Sequence, residues 1–379
     1  MSTPQLKFID KRPGGKESGP FVPFVAGQQV RPAWVTGTIN TGSGVAYRVS
    51  TEITRTDIIE HFRCRVSAFR DNYAVRPGLY AIGNPGSDSN VFVSANYKLS
   101  FDHLRDGLRG LDAWIMVLDT KGINVWCAAG KGTFGTDELI KQINAVKLDK
   151  VVNHRRIIVP QLGAPGVRGY KVRQTTGFRV CYGPVYARDI RKFMDAGYKA
   201  TKEMRIVRFP LIERLILTPM EINPALKKYY PWYVLIVLGI FGFQPAGIIF
   251  RDAWSHGLPF LILGLISILS GAFITPLLLP VVPFRSFAVK GWIAGMAAVV
   301  VAAQFSLFST SSFPLLFFTY LFFPLASSYV ALQFTGSTTF TGMSGVKKEL
   351  RISIPIYIGA AGVSLMLLVV YKLGQWGVL

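Results

Sequence analysis

Five long apolar stretches crowd the C-terminal part of this chain, and they limit what it can fold into more than any other feature. They cover residues 231–250, 258–282, 287–308, 313–334 and 352–371. Each is about the ~20 residues that a helix needs to cross the hydrocarbon core of a bilayer. In hydrocarbon every backbone polar group must find its partner within the protein, so stretches of this kind are confined to helices. Charge follows the same division. Positions 1–230 carry 35 Lys+Arg and 19 Asp+Glu, whereas positions 231–379 carry 7 and 2. The pattern predicts a charged soluble half, a membrane domain of five helices over 231–373 and a short tail at 374–379.

Trp232, Tyr233, Trp254, Trp292 and Trp376 fall near the ends of these stretches, where interfacial aromatics belong. Basic residues set the expected orientation. Lys227 and Lys228 precede the first stretch, Arg285 and Lys290 fall at the second loop, and Lys347, Lys348 and Arg351 fall at the fourth. The positive-inside rule then places the N-terminal half and these two loops in the cytoplasm and the C-terminus outside, in a multi-pass protein of the inner (cytoplasmic) membrane. No ionisable residue lies at the middle of a stretch, which argues against a transporter and for an anchor or assembly platform. Gln244, Pro245, Gln304, Gly264 and Gly271 read as packing features.

Residues 1–45 are rich in Gly, Pro and Ser and read as an irregular extension without the apolar core of a signal peptide. Residues 46–202 read as an α/β domain. Strands are expected at 91–95, 113–118, 156–159 and 178–182, and helices at 100–109, 136–146, 167–174 and 187–196. Thr136 is the expected N-cap of the second of these helices, with Glu138 in its first turn. Short apolar strands alternating with helices predict a Rossmann-like, doubly wound parallel sheet. A basic linker at 203–230 joins the two halves, and the basic residues thicken toward the membrane from Lys192 to Lys228. This charge suits an anionic bilayer surface or an acidic protein partner, and no nucleic-acid-binding motif accompanies it. Three cysteines, Cys64, Cys127 and Cys181, offer no disulfide framework and fit a reducing compartment.

In a doubly wound sheet ligands bind beyond the carboxyl ends of the strands. Four segments are expected there: Asn96-Tyr97-Lys98, residues 119–135, residues 160–166, and Tyr182-Gly183-Pro184-Val185. Three contain glycine, which either permits close approach to an extended ligand or simply makes turns. The run Gly130-Lys131-Gly132-Thr133-Phe134-Gly135 matches G-x-G-x-x-G, but it begins some ten residues after the expected strand end, so it is a weak dinucleotide signal. A P-loop is excluded by Val125, where its first glycine should stand. Cys127 stands among Asn124-Val125-Trp126-Cys127-Ala128-Ala129-Gly130-Lys131-Gly132, at the expected start of a short helix, where a thiolate is favoured. With no second cysteine or histidine beside it, it is either a small core residue or the one protein ligand of a metal already caged by a tetrapyrrole. Cys64 and Cys181 read as core residues, and His61, His103, His154 and His256 are scattered.

The segment from Asp119 to Phe134 resembles the signature of the membrane-bound, mercury-methylating corrinoid protein family. The resemblance continues through Pro77-Gly78-Leu79-Tyr80, Ala95-Asn96-Tyr97-Lys98-Leu99-Ser100-Phe101-Asp102, residues 160–167 and Tyr182-Gly183-Pro184-Val185, and the five apolar stretches fit it too. The soluble domain is also similar to the corrinoid domain of the corrinoid iron–sulfur protein of the acetyl-CoA pathway. The resemblance to the mercury-methylating family implies a corrinoid (cobalamin) cofactor, with Cys127 as the lower axial cobalt ligand and the catalytic residue of a methyltransferase that converts Hg(II) to methylmercury. A thiolate pushes electron density to the opposite face of a metal, and Hg(II) is a soft acceptor. The implied cofactor-binding residues are Asn96, Thr120, Asn124, Val125, Trp126, Cys127, Ala128, Ala129, Gly130, Lys131, Gly132, Thr133, Gln161, Gly163, Ala164, Pro165, Gly166, Gly183 and Pro184.

Trp126 packs the short helix or stacks on the corrin. Asn124 caps the helix or donates to the Cys127 sulfur, Lys131 meets a corrin side arm or water, and Thr133 bonds a cofactor amide. The chain holds no cysteine run for an iron–sulfur cluster of its own. The resemblance therefore implies a ferredoxin-like electron donor with two [4Fe-4S] clusters, and a methylfolate-linked methyltransferase as methyl donor. Two alternatives remain: a membrane-anchored corrinoid methyl carrier for a metalloid or one-carbon acceptor, and a non-enzymatic receptor or transporter with a cytoplasmic ligand domain.

Overall fold

The computed structural model describes residues 32–308, 311–336, 341 and 343–378. Residues 1–31, most of the expected extension, lie outside that set. The chain forms two compact units, the first running to Val207 and the second from Arg208, with Arg65–Ser67 grouped with the second.

The first unit is built on a seven-stranded sheet in the order β1-β2-β3-β5-β4-β6-β7. Its strands are β1 (Val35–Thr41), β2 (Gly44–Val49), β3 (Gly78–Ile82), β4 (Val91–Ala95), β5 (Ala113–Leu118), β6 (Arg156–Val159) and β7 (Arg179–Tyr182). The pairs β2–β3, β5–β4, β4–β6 and β6–β7 are parallel, whereas β1–β2 and β3–β5 are antiparallel. The sheet is thus mostly parallel but mixed. It also extends into the segment expected to be irregular, because the β1–β2 hairpin adds an edge there.

The helices are α1 (Arg55–Val66), α2 (Lys98–Gly107), α3 (Val125–Lys131), α4 (Thr136–Ala145), α5 (Gly169–Thr176) and α6 (Ile190–Asp195). Alternation along the strands assigns each face. Val91, Val93, Ala95, Trp114, Met116 and Leu118 pack with Val125, Leu139, Ile143 and Val172 from α3, α4 and α5. Phe92, Ile115 and Val117 point the other way, onto Phe101, Ile190 and Phe193 from α2 and α6. Both faces of β4 and β5 are dry, which is why these strands read as continuous apolar runs rather than alternating ones.

In the second unit, four helices among the described residues are long and apolar enough to cross a membrane: Phe250–Leu277, Phe287–Gln304, Phe313–Gln333 and Ser344–Gln375. The first of the five expected stretches differs. Its helix, Tyr230–Gly242, has 13 residues and ends in a small hairpin, Phe243–Gln244 paired with Gly247–Ile248. It continues from a helical segment at Leu211–Pro224 and a wider π turn at Ala225–Tyr229, so much of the expected linker is helical. Small residues set the helix contacts. A Cβ on Gly291 would fall 2.4 Å from Ala331, and one on Gly295 would fall 2.5 Å from Ser327.

Candidate functional site

The connection from β4 leads through α2 to β5, whereas the connection from β6 leads through α5 to β7, on the opposite side of β4. The chain therefore reverses direction between β4 and β6, and a crevice opens outside their carboxyl ends. A cavity of about 290 Å³ occupies this crevice. Ser94, Ser100, His103, Trp126, Leu162 and Pro184 are among its lining residues, together with Asn124, Val125 and Gly183. Three of the four segments expected at the rim thus converge: the end of the β5–α3 loop, the turn after β6 and the turn after β7.

The loop between β5 and α3 is held from below. Asn96, buried just after β4, accepts hydrogen bonds through Oδ1 from the backbone N–H of Thr120 (3.1 Å) and Gly122 (2.9 Å). The buried Thr120 hydroxyl lies 2.8 Å from the same oxygen and 2.6 Å from the Ile123 carbonyl. Glu138 in α4 accepts from the Asp119 N–H at 3.1 Å. Asn96 and Thr120, expected as cofactor contacts, direct their polar atoms into the loop that presents α3. The left-handed pair Lys121 and Gly122 turns the chain there.

Asn124 caps α3, and its side chain accepts from the Cys127 N–H at 2.9 Å. Helical spacing then sorts the motif. Val125, Ala128 and Ala129 are buried in the core, while Trp126 and Cys127 are half-exposed and Gly130 is exposed. Trp126 lines the cavity; Cys127, next along the outward surface of α3, does not. The helix ends at Gly132, in the left-handed conformation (φ 83°). Thr133 directs its hydroxyl to the Ala128 carbonyl at 3.5 Å, and Lys131 is exposed. The G-x-G-x-x-G run covers the end of α3 and the Gly135 N-cap of α4, not a strand-to-helix turn, which removes the dinucleotide fingerprint. Thr136, expected as the N-cap, is the first helical residue and instead accepts the Arg168 N–H at 2.9 Å.

After β6, Gln161–Gly166 forms a 3-10 turn that packs on α3. The glycines here are set by packing within the protein. A Cβ on Gly163 would stand 2.4 Å from the Phe134 ring, and one on Gly166 would stand 2.1 Å from the Phe134 carbonyl oxygen. Gly183, buried after β7, donates its N–H to Val159 at 2.8 Å, and the Gln161 N–H reaches the Pro184 carbonyl at 3.4 Å. Ala164 is half-buried and Pro165 exposed.

The residues fit a large amide-bearing macrocycle in two respects. The Gln161 amide oxygen is buried without a hydrogen-bond partner among the described residues, at the rim where a ligand donor would satisfy it. Cys127 offers a half-exposed thiol on the same rim. A corrinoid is far larger than the cavity, which could take only an edge or side arm of it. Cys64, by contrast, is sealed in the core between the His61 carbonyl and the Tyr97 hydroxyl, and Cys181 packs within β7. No cluster of three or more metal-ligating side chains occurs among the described residues.

Sequence reasoning missed a buried ionic network behind this rim. Lys98 contacts Asp102 (2.6 Å) and Asp57 (3.2 Å), Arg105 contacts Asp102 (2.7 Å) and Asp57 (2.8 Å), and His61 meets Asp102 at 2.8 Å. Burial alone would raise the Asp102 pKa, but the hydrogen bond from His61 and the charges of Lys98 and Arg105 hold it well below the usual carboxylate range. Arg105 also donates to the carbonyls of Ser50 and Glu52, tying α2 to the segment after β2. The signal was present as the spacing Lys98, Asp102, Arg105, a charged stripe along one side of α2 beside the apolar one. His103, which lines the cavity, was also not singled out.

Residues 58–194 match the family model described as CO dehydrogenase/acetyl-CoA synthase delta subunit. Among curated proteins, the chain is similar to subunit gamma of the acetyl-CoA decarbonylase/synthase complex of Archaeoglobus fulgidus, 31% identical over 126 residues, which are 33% of this chain and 26% of that protein. The corresponding subunit of Methanopyrus kandleri is 30% identical over 141 residues (36% and 30%). That of Methanocaldococcus jannaschii is 31% identical over 149 residues (38% and 30%). The chain thus spans less than a third of the length of these relatives. The part of the chain that runs from α1 to α6 and carries the Cys127 segment is therefore similar to the delta-subunit family of CO dehydrogenase/acetyl-CoA synthase.

Proposed function

We propose that this chain is a membrane-anchored corrinoid-dependent methyltransferase, and that its methyl acceptor is Hg(II). The observation that carries this reading is the setting of Cys127: a half-exposed thiol on α3, beside the switch-point crevice, within the region similar to the delta-subunit family. The mercury assignment rests on the resemblance of residues 119–134 to the mercury-methylating family signature. A corrinoid, when bound, supplies a cobalt centre that accepts a methyl group and passes it on. Cys127 would be the protein ligand to that cobalt, as a thiolate. Asn124 fixes where α3 begins, and with it the direction of the Cys127 side chain. Trp126 would wall one edge and exclude water, and the Gln161 oxygen would accept from a carboxamide arm. Electrons would come from a ferredoxin-like partner with two [4Fe-4S] clusters, and the methyl group from a methylfolate-linked enzyme.

The test uses the purified full chain loaded with cobalamin and given a reductant, a methyl donor and Hg(II). Wild type and Cys64→Ala should form methylmercury, and Cys127→Ala should lose at least about two orders of magnitude of transfer, the scale on which loss of a metal-tuning group acts. A chain that stays colourless after loading, or equal activity of the two variants, would refute the ligand assignment. A second reading is favoured by the named relatives, which belong to an acetyl-CoA decarbonylase/synthase complex: methyl transfer within one-carbon metabolism. Retention of the corrinoid with transfer to a one-carbon acceptor, but none to Hg(II), would select it.

A further inference from the structure

A cavity of about 1140 Å³ lies in the second unit, far along the chain from the Cys127 rim. The segment from Leu279 to Trp292 forms one side, and residues from Thr341 to Tyr357 form the other. Its walls are largely apolar, with Phe284, Trp292, Ile352 and Ile356 exposed. Three cations line it as well: Arg285, Lys290 and Lys348. The single lining carboxylate, Glu349, is already engaged. It accepts from the Phe287 N–H (2.8 Å), the Ala288 N–H (3.2 Å) and the Ser286 hydroxyl (3.1 Å), and so caps the helix Phe287–Gln304. Lys290 is only 7% exposed; its ammonium donates to the Leu279 carbonyl, and no carboxylate pairs with it among the described residues. A charge that deep, met only by a neutral carbonyl, leaves room for an external anion. Ser328, Ser353 and Tyr357 add hydroxyls to the wall.

We infer that this cavity is a binding site for one anionic phospholipid, its phosphate held by Arg285, Lys290 and Lys348 and its acyl chain laid along Trp292, Ile352 and Ile356. A basic pocket between membrane helices, close to the interface that Trp292 marks, matches the chemistry of an acidic headgroup with an apolar tail. The two loops concerned are those whose positive charge the positive-inside rule assigns to the cytoplasm, where anionic lipid would meet them. The site does not depend on the corrinoid reading, since every lining residue lies in the second unit.

Native mass spectrometry of the full chain in detergent tests it, with phosphatidylglycerol and phosphatidylcholine titrated in parallel. The expected result is saturable retention of one phosphatidylglycerol, with phosphatidylcholine weaker by at least tenfold. Each neutralisation (Arg285→Gln, Lys290→Gln, Lys348→Gln) should weaken retention roughly fivefold, in keeping with the contribution of one basic residue at a lipid surface. Lys290→Arg should restore most of it, and Lys227→Gln with Lys228→Gln, outside the cavity, should leave it unchanged. Thermal stabilisation by phosphatidylglycerol should follow the same order, which keeps a poorly folding Lys290→Gln interpretable through the two surface variants. Equal binding of the two lipids, or unchanged retention when Arg285 and Lys348 are neutralised together, would overturn the assignment. So would the same stabilisation by inorganic phosphate alone, which would point to a soluble phosphate ligand.

Discussion

At Asn124 a single side chain decides where α3 starts, and Cys127 inherits its direction from that decision. The hydrogen bond from the Cys127 N–H to Asn124 Oδ1, 2.9 Å, satisfies one of the donors that a helix start leaves open. Asn124→Ala should therefore cost about 1 kcal/mol, and Asn124→Asp much less, in thermal melts of the full chain. The same substitution should weaken cobalamin retention while leaving Cys127 in place. Equal melting of wild type and Asn124→Ala would show that the α3 start is held by its packing alone. The sequence left two uses open for Asn124, a helix cap or a donor to the Cys127 sulfur, and the position of the helix start selects the cap. Asn96 and Thr120 were less legible. Their residue types suit ligand binding, and only the fold shows that their polar atoms turn inward to the Asp119–Asn124 loop. Burial separates Cys64 from Cys127, and burial depends on neighbours that are distant in sequence.

At the scale of elements, four strands were legible, at 91–95, 113–118, 156–159 and 178–182, and the plainest are the two buried on both faces. Val91–Ala95 and Ala113–Leu118 announce themselves as unbroken apolar runs. The β1–β2 hairpin escaped because its residues alternate with Thr, Asn and Gly, as befits an edge exposed on one side. Antiparallel pairing of β3 with β5 left no local mark at all. The rim turn shows why glycine is ambiguous in a sequence. Gly163 and Gly166 looked like room for a ligand, but they are room for Phe134. Gly163→Ala should cost about 1–3 kcal/mol by forcing that ring aside, read as a lower melting temperature, whereas Gly132→Ala should act only through backbone strain. The ionic network on α2 sets a pH dependence. The Asp102 carboxyl has a depressed pKa in the fold and about 3.9 when unfolded. Its contribution is therefore complete above about pH 4 and is lost as the pH falls below that toward its folded value. Asp102→Asn leaves Lys98 and Arg105 short of a counter-charge in the core and should cost about 3–5 kcal/mol at neutral pH. Its stability should also fall less steeply than that of the wild type below pH 4, measured by denaturant titration across pH. A parallel acid slope in the two proteins would assign the acid sensitivity to other carboxylates.

For the whole molecule, the division into a charged unit and an apolar unit was plain from charge alone, but how many apolar stretches form helices long enough to cross a membrane was not. Among the described residues four helices satisfy length and hydropathy, and the first of the five stretches folds as the 13-residue helix Tyr230–Gly242, about 20 Å long. That is short of the ~30 Å hydrocarbon core. The positive-inside rule nevertheless argues for a crossing there. If Arg285 and the Lys347, Lys348 and Arg351 group face the cytoplasm, then Phe250–Leu277 must begin outside, and the Phe243–Ile248 hairpin lies outside with it. The first unit then stays cytoplasmic only if Tyr230–Gly242 spans the bilayer. The exposed apolar residues Phe243, Ile248 and Phe250 would extend its apolar band, and the membrane would thin to meet it at modest cost. We therefore predict five crossings. Single cysteines at Ala246, in the exposed turn of the hairpin, and at Gln375 should react with a membrane-impermeant maleimide in intact cells, and one at the exposed Tyr170 should react only after lysis. Labelling of both Tyr170→Cys and Ala246→Cys in intact cells would put the two on one side, reduce the count to four and place the α/β unit on the side of the membrane opposite the basic loops.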